Sequence, residues 1–145
     1  MKKLYREKLD QLFEKTLDFP VTFISAPVGW GKSQAVYAYL EKRGTPSMWI
    51  SADEFGREDI MRRIWDGISR FCDPAREMPE SIPGWKEAVR EMKLPSAFAL
   101  VMDDCPAPLP GWAMDLLEVF QKARVPGLNI YVISRRNLSR GFSAK

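Results

Sequence analysis

Residues Phe23–Leu40, FISAPVGWGKSQAVYAYL, run from apolar residues through two glycines into Lys-Ser and then into a helix-like pattern. Their reading decides the fold. In Ala26–Ser33, Gly29, Gly31, Lys32 and Ser33 match the second half of the phosphate-loop pattern, while Ala26 stands where that pattern has its first glycine. Glycines let consecutive N–H groups turn inward around an anion, and a helix that starts there adds its positive end. Lys32 would reach the β- and γ-phosphates of a nucleotide, and the Ser33 hydroxyl would be a magnesium ligand. The flanking Val28, Trp30 and Gln34 complete the candidate binding segment. Ala26 lacks glycine's tolerance of positive φ, so it must sit in an ordinary β or helical region. The loop can still close, because the glycines nearest the phosphates are intact. Trp30 either shields the phosphates or packs against a neighbouring loop, and packing is the plainer role.

Outward from this stretch, short β-rich runs alternate with helical patterns. VTFIS (Val21–Ser25) reads as a buried strand before the loop. Ser33 to about Arg43 sets Ala35, Val36, Tyr39 and Leu40 on one helical face, and Gly44 ends it. SMWIS (Ser47–Ser51) is a second strand. A helix from about Glu58 carries Ile60, Ile64, Trp65 and Ile68. Pro74, Pro79 and Pro83 then punctuate a loop before a short helix, GWKEAVREMK. FALVM (Phe98–Met102) is the most apolar strand and ends at Asp103-Asp104. CPAPLPG is a loop by its prolines. Residues 112–123 form another amphipathic helix, and LNIYVIS (Leu128–Ser134) is the fourth strand. Ahead of all this, residues 3–17 place Leu4, Leu9, Leu12, Phe13 and Leu17 among charges at near-helical spacing, with DFP as the break. The alternation predicts an α/β fold: a mostly parallel sheet with helices on both faces, preceded by an N-terminal amphipathic helix.

Ligands in such sheets bind at the carboxyl ends of the strands. Three chemically loaded spots fall there: the glycine loop, the acidic pair and Ser134-Arg135. Asp103 is placed to hold magnesium through a water, and Asp104 to orient or deprotonate an attacking water. Arg135 either stabilises charge on a γ-phosphate or is solvated at the surface. Arg136 points the other way if the segment stays extended. Asp53 and Glu54 suit a helix cap better than a site. Cys105 reads as a small buried hydrophobe, since adjacent carboxylates raise a thiol's pKa.

Bulk properties exclude other chemistry. With no histidine among 145 residues, imidazole acid–base catalysis and histidine–metal sites are ruled out. Two cysteines, Cys72 and Cys105, cannot build a disulfide framework or a four-thiolate zinc site. A net charge of +3 does not argue for nucleic acid. The local excess from Arg135, Arg136, Arg140 and Lys145 reads as a solvated end. The charged N-terminus is unlike a signal peptide, and no apolar run approaches the ~20 residues of a spanning helix. A single cytoplasmic domain with no membrane contact is expected from length and composition.

With those residues in hand, the chain resembles the nucleotide-binding domain of the MalT-like, LuxR-type ATP-dependent transcriptional regulators, signal-transduction ATPases among the AAA-like P-loop proteins. The matching features are REKLDQLFEKTL, TFISAPVGWGKSQAV, WISADE, FALVMDDC and NIYVISRR, which together span residues 6 to 136. A small residue for the first glycine and an aromatic at the Trp30 position are common in that family. The resemblance implies a three-layer P-loop NTPase sandwich with Lys32 and Ser33 in Walker A, Asp103 and Asp104 as the Walker B pair, and Arg135 as sensor arginine. Arg6 falls near an arginine used beside the base. It further implies ATP or ADP with Mg2+ as ligands, and a switch with slow or no hydrolysis in isolation. A parent chain would carry further domains, oligomerise with nucleotide and touch DNA only through a C-terminal helix-turn-helix, none of which appears before Lys145, so a fragment or a shortened relative is expected. A small-molecule kinase on a P-loop fold and an interaction domain that has lost nucleotide binding are the competing readings.

Overall fold

The computed structural model describes residues 10–25, 31–52, 56–70, 77–106, 108–134 and the backbone of 142–144. Four parallel strands stand in the order β2-β3-β4-β1: β1 (Val21–Ile24), β2 (Ser47–Ser51), β3 (Phe98–Cys105) and β4 (Leu128–Ser134). Helices flank them: α1 (described over residues 10–16), α2 (Lys32–Arg43), α3 (Arg57–Ser69), α4 (Ile82–Arg90) and α5 (Gly111–Ala123). From β1 the chain crosses two strand positions to the edge at β2, then returns inward through β3 and β4 until it lies beside β1. Crossovers that run in opposite directions and share the usual right-handedness would carry α2 and the later helices to different faces. The packing agrees, because alternate residues of β3 feed different clusters. Leu100 and Met102 pack with Ile64, Trp85 and Phe120. Ala99 and Val101 pack with Val36, Tyr39 and Leu40. The helices that follow β1 and β3 therefore pack on opposite sides of the sheet, and such an arrangement leaves a crevice at the carboxyl ends of the strands.

Local chemistry sets the element ends. Gly44 takes a left-handed conformation (φ 69°) as the C-cap of α2, with Lys42 and Arg43 in the last turn. Ser81 caps α4, its Oγ accepting from the Gly84 amide at 3.2 Å. Pro83, read above as loop punctuation, lies in the first turn of that helix. The amide that proline lacks has no intrahelical partner there, so nothing is lost. Trp85, buried in α4, meets Trp65 edge-on at 5.4 Å and Phe120 at 6.3 Å.

Two further expectations need correction. The strand expected to stop at Met102 continues through both acids to Cys105, for a reason given with the site below. A short strand that the sequence reading did not assign, β5 (Phe142–Ala144), lies antiparallel on β1. The stripe expected on the N-terminal helix is also wrong in part: Leu12 and Leu17 are 37% and 39% exposed. What α1 buries is Phe13, stacked on Tyr39 at 5.0 Å, and Thr16, whose hydroxyl lies 2.7 Å from the Tyr131 hydroxyl. Those two positions, three apart, share one face, and ion pairs Lys42–Asp10 and Arg43–Glu14 flank them. Burial pushes the Tyr131 phenol above its ordinary pKa, with the Thr16 hydrogen bond acting the other way. Leu4, Leu9 and Cys72 lie outside the described residues. No helix among the described residues is long and apolar enough to cross a membrane.

Candidate functional site

Gly31 sits immediately before α2 with φ 63° and ψ 46°, a left-handed backbone that a residue with a Cβ adopts only under strain. That conformation turns the chain into the helix and brings Lys32 and Ser33 to its first turn. From there Lys32 reaches across β1 to the end of β4, where its Nζ donates to the Ser134 carbonyl at 2.7 Å. Ser33 points toward β3, and its Oγ stands 2.8 and 2.9 Å from the two carboxylate oxygens of Asp103. A hydroxyl and an acid 70 residues apart in sequence thus meet, although β4 separates β3 from β1, the strand that precedes α2.

The acidic pair owes its geometry to an irregularity in β3. Met102 pairs with Val132 and Cys105 with Ser134, so β3 spends one residue more than β4 over the same interval. That is a β-bulge, a device that re-aims side chains and recurs beside functional sites. Asp104 absorbs it with φ 55°, and its amide donates to Asp103 Oδ1 at 2.8 Å. Aspartate is among the few non-glycine residues that tolerate this region. The bulge explains why the strand can pass the acids and still end in Cys105, which is buried with its Sγ 3.3 Å from the Met102 carbonyl. Cys105 is the small buried hydrophobe expected.

Gly31, Lys32, Ser33, Gln34, Asp103 and Asp104 line one open cleft of about 570 Å3, together with Ser51, Ile133 and Ser134. Six of the candidate residues named from the sequence are therefore brought together. Val28, Gly29, Trp30 and Arg135 lie outside the described residues, as do Arg6, Ala26, Asp53, Glu54, Arg136, Arg140 and Lys145. Two features were missed. Ser51 is a lining residue whose only signal is its place at the carboxyl end of a parallel strand. The Ser134 carbonyl as acceptor for Lys32 has no sequence signal, since it is backbone.

The cleft combines one ammonium, the Ser33 hydroxyl and two carboxylates with the amino end of α2. Such a set suits a phosphorylated ligand accompanied by a hard divalent cation. No cluster of three or more His, Cys, Asp or Glu side chains that could cage a metal occurs among the described residues. Ser33 and Asp103 fit magnesium nonetheless, because that ion is commonly held by one or two protein oxygens, with phosphate and water supplying the rest. No protein-family model, curated protein or solved structure matches this chain.

Proposed function

We propose that the chain is an ATP/ADP-binding switch module with the three-layer P-loop architecture, similar in kind to the nucleotide-binding domain of the MalT-like, LuxR-type transcriptional regulators. The observation that carries this reading is the Ser33–Asp103 contact, 2.8 Å long, beside a lysine stretched to the end of β4. An ordinary strand-to-helix turn has no need to bring a hydroxyl, a carboxylate and an ammonium from three elements to one crevice.

Each residue then has a task. The backbone at Gly31 and the first turn of α2 receive phosphate oxygens. The Lys32 ammonium now rests on a neutral carbonyl, and an anionic phosphate oxygen is the stronger acceptor, since ionised partners make hydrogen bonds roughly twice as strong. Ser33 and Asp103 would hold Mg2+, whose chemistry when bound is to neutralise charge on the phosphate oxygens. Asp104 orients or deprotonates a water, at the shorter reach of an aspartate. Closure over the nucleotide and contact with DNA belong, on this reading, to other domains of a parent regulator, where nucleotide state would govern oligomerisation in the cytoplasm. Efficient phosphoryl transfer needs a dry site and added positive charge worth ~10³–10⁵ in rate, so the chain alone should hydrolyse ATP slowly or not at all.

The test is phosphate release by the purified chain with Mg-ATP, alone and with a panel of small metabolites. Turnover well below ~1 per second with no transfer to a metabolite is expected. Hydrolysis at or above that rate would refute the switch reading, and transfer to a metabolite would make the chain a kinase.

A further inference from the structure

A second cavity, of about 230 Å3, opens at the same carboxyl edge of the sheet. Ser51 and Asp103 line the first cleft, whereas their chain neighbours Ala52 and Met102 line the second. Successive residues of an extended chain point to opposite sides, so the two spaces share a thin wall of backbone. The walls of the second are apolar: Ile60 from α3, Met102 from β3, and Leu109, Trp112 and Ala113 at the start of α5. Arg57, an exposed residue in the first turn of α3, adds a charge at their rim. Arg57 is the only ionisable residue among the described lining residues, and it makes no ion pair with a described residue.

Interiors pack closely, so a recess this large between a strand end and two helices is uncommon. Its size falls just below the ~300–1,000 Å3 of pockets for drug-sized ligands. An apolar, partly aromatic wall with few polar groups is the make-up of small-molecule sites, and the described lining supplies one cation. That cation is a guanidinium, whose fork matches a carboxylate in two parallel hydrogen bonds.

The geometry points to a binding site for a small apolar carboxylate, one ring or a short branched chain with a single acid group, held by Arg57 and packed on Trp112. A ligand there lies against the backbone that carries Asp103. This inference does not rest on the nucleotide reading, because binding is measured with no nucleotide present.

The experiment titrates the 15N-labelled chain with sodium phenylacetate and, separately, with neutral phenylacetamide, following the Trp112 indole N–H signal assigned by its loss in Trp112→Phe. Expected is a saturating shift with a dissociation constant on the order of 1 mM for a ligand of about ten heavy atoms. Binding of the amide should be at least about fivefold weaker, in line with loss of a charge-assisted pair. Arg57→Gln, on the exposed first turn of α3, should keep the fold and abolish the preference for the acid. A shift that does not saturate, equal affinities for acid and amide, or an undiminished acid preference in Arg57→Gln would each overturn the assignment.

Discussion

Replacing Asp104 by glycine and, separately, by alanine tests whether the bulge holds the backbone in the left-handed region. Both substitutions remove the carboxylate and every bond it makes, so the comparison between them cancels the side chain's interactions. What remains is the backbone at φ 55°. Alanine in that region costs about 1–2 kcal/mol. Glycine avoids that cost but loses about 0.4–1 kcal/mol more chain entropy on folding. Taking the middle of each range, Asp104→Gly should therefore be more stable than Asp104→Ala by about 0.8 kcal/mol. For a chain near 150 residues, 1 kcal/mol moves Tm by about 2–4 °C, so a gap of about 2–3 °C is expected. Thermal melts followed by far-UV circular dichroism, with urea midpoints as a check, read this difference. Neither variant should hydrolyse ATP. An alanine variant as stable as the glycine variant, or more so, would mean that residue 104 is not held left-handed in solution, and the account of how the acids are aimed would fall with it.

Two further perturbations address the site and its support. Asp103→Asn should weaken the magnesium dependence of nucleotide binding, while Asp104→Asn should reduce any hydrolysis far more than binding; identical behaviour in titrations and turnover would show that the two acids do not divide the work. Stability should hold below pH ~10 and fall as pH rises beyond it. Tyr131, its pKa raised by burial, stays neutral in the folded chain while the unfolded chain ionises near the ordinary tyrosine value. Tyr131→Phe should lessen that alkaline decline in urea titrations at pH 8–11, Tyr39, whose phenol burial also raises, carrying a further part; an unchanged slope would exclude Tyr131 as a source.

Much of the sheet was legible because its strands are short apolar runs bounded by unmistakable breakers. SMWIS and LNIYVIS form strands with the bounds read from sequence, and Gly44 ends α2 where its conformational freedom is needed. Much of the first cleft's lining was legible because its parts are residue types at fixed spacing, near the carboxyl ends of strands. What escaped depends on tertiary pairing. The bulge at Asp104 arises from register against β4, which periodicity within one strand cannot reveal. The N-terminal helix misled because hydrophobicity alone does not say which face docks: Thr16 is buried for its bond to Tyr131, while Leu12 and Leu17 stay half exposed. β5 gains its order from pairing with β1, a contact between distant segments of the chain.

The most direct measurement is a calorimetric titration of the chain with Mg-ATP and Mg-ADP, repeated on Lys32→Ala. Lys32 is half buried, and its one described hydrogen bond, to a neutral carbonyl, contributes on the order of 1 kcal/mol to folding. The variant should thus melt within a few degrees of the parent. Expected is one nucleotide per chain in the parent, dependent on magnesium for its full affinity, and loss of most of that binding in the variant. A flat titration of the folded parent, or equal affinity in parent and Lys32→Ala, would contradict the assignment of the cleft to a nucleotide.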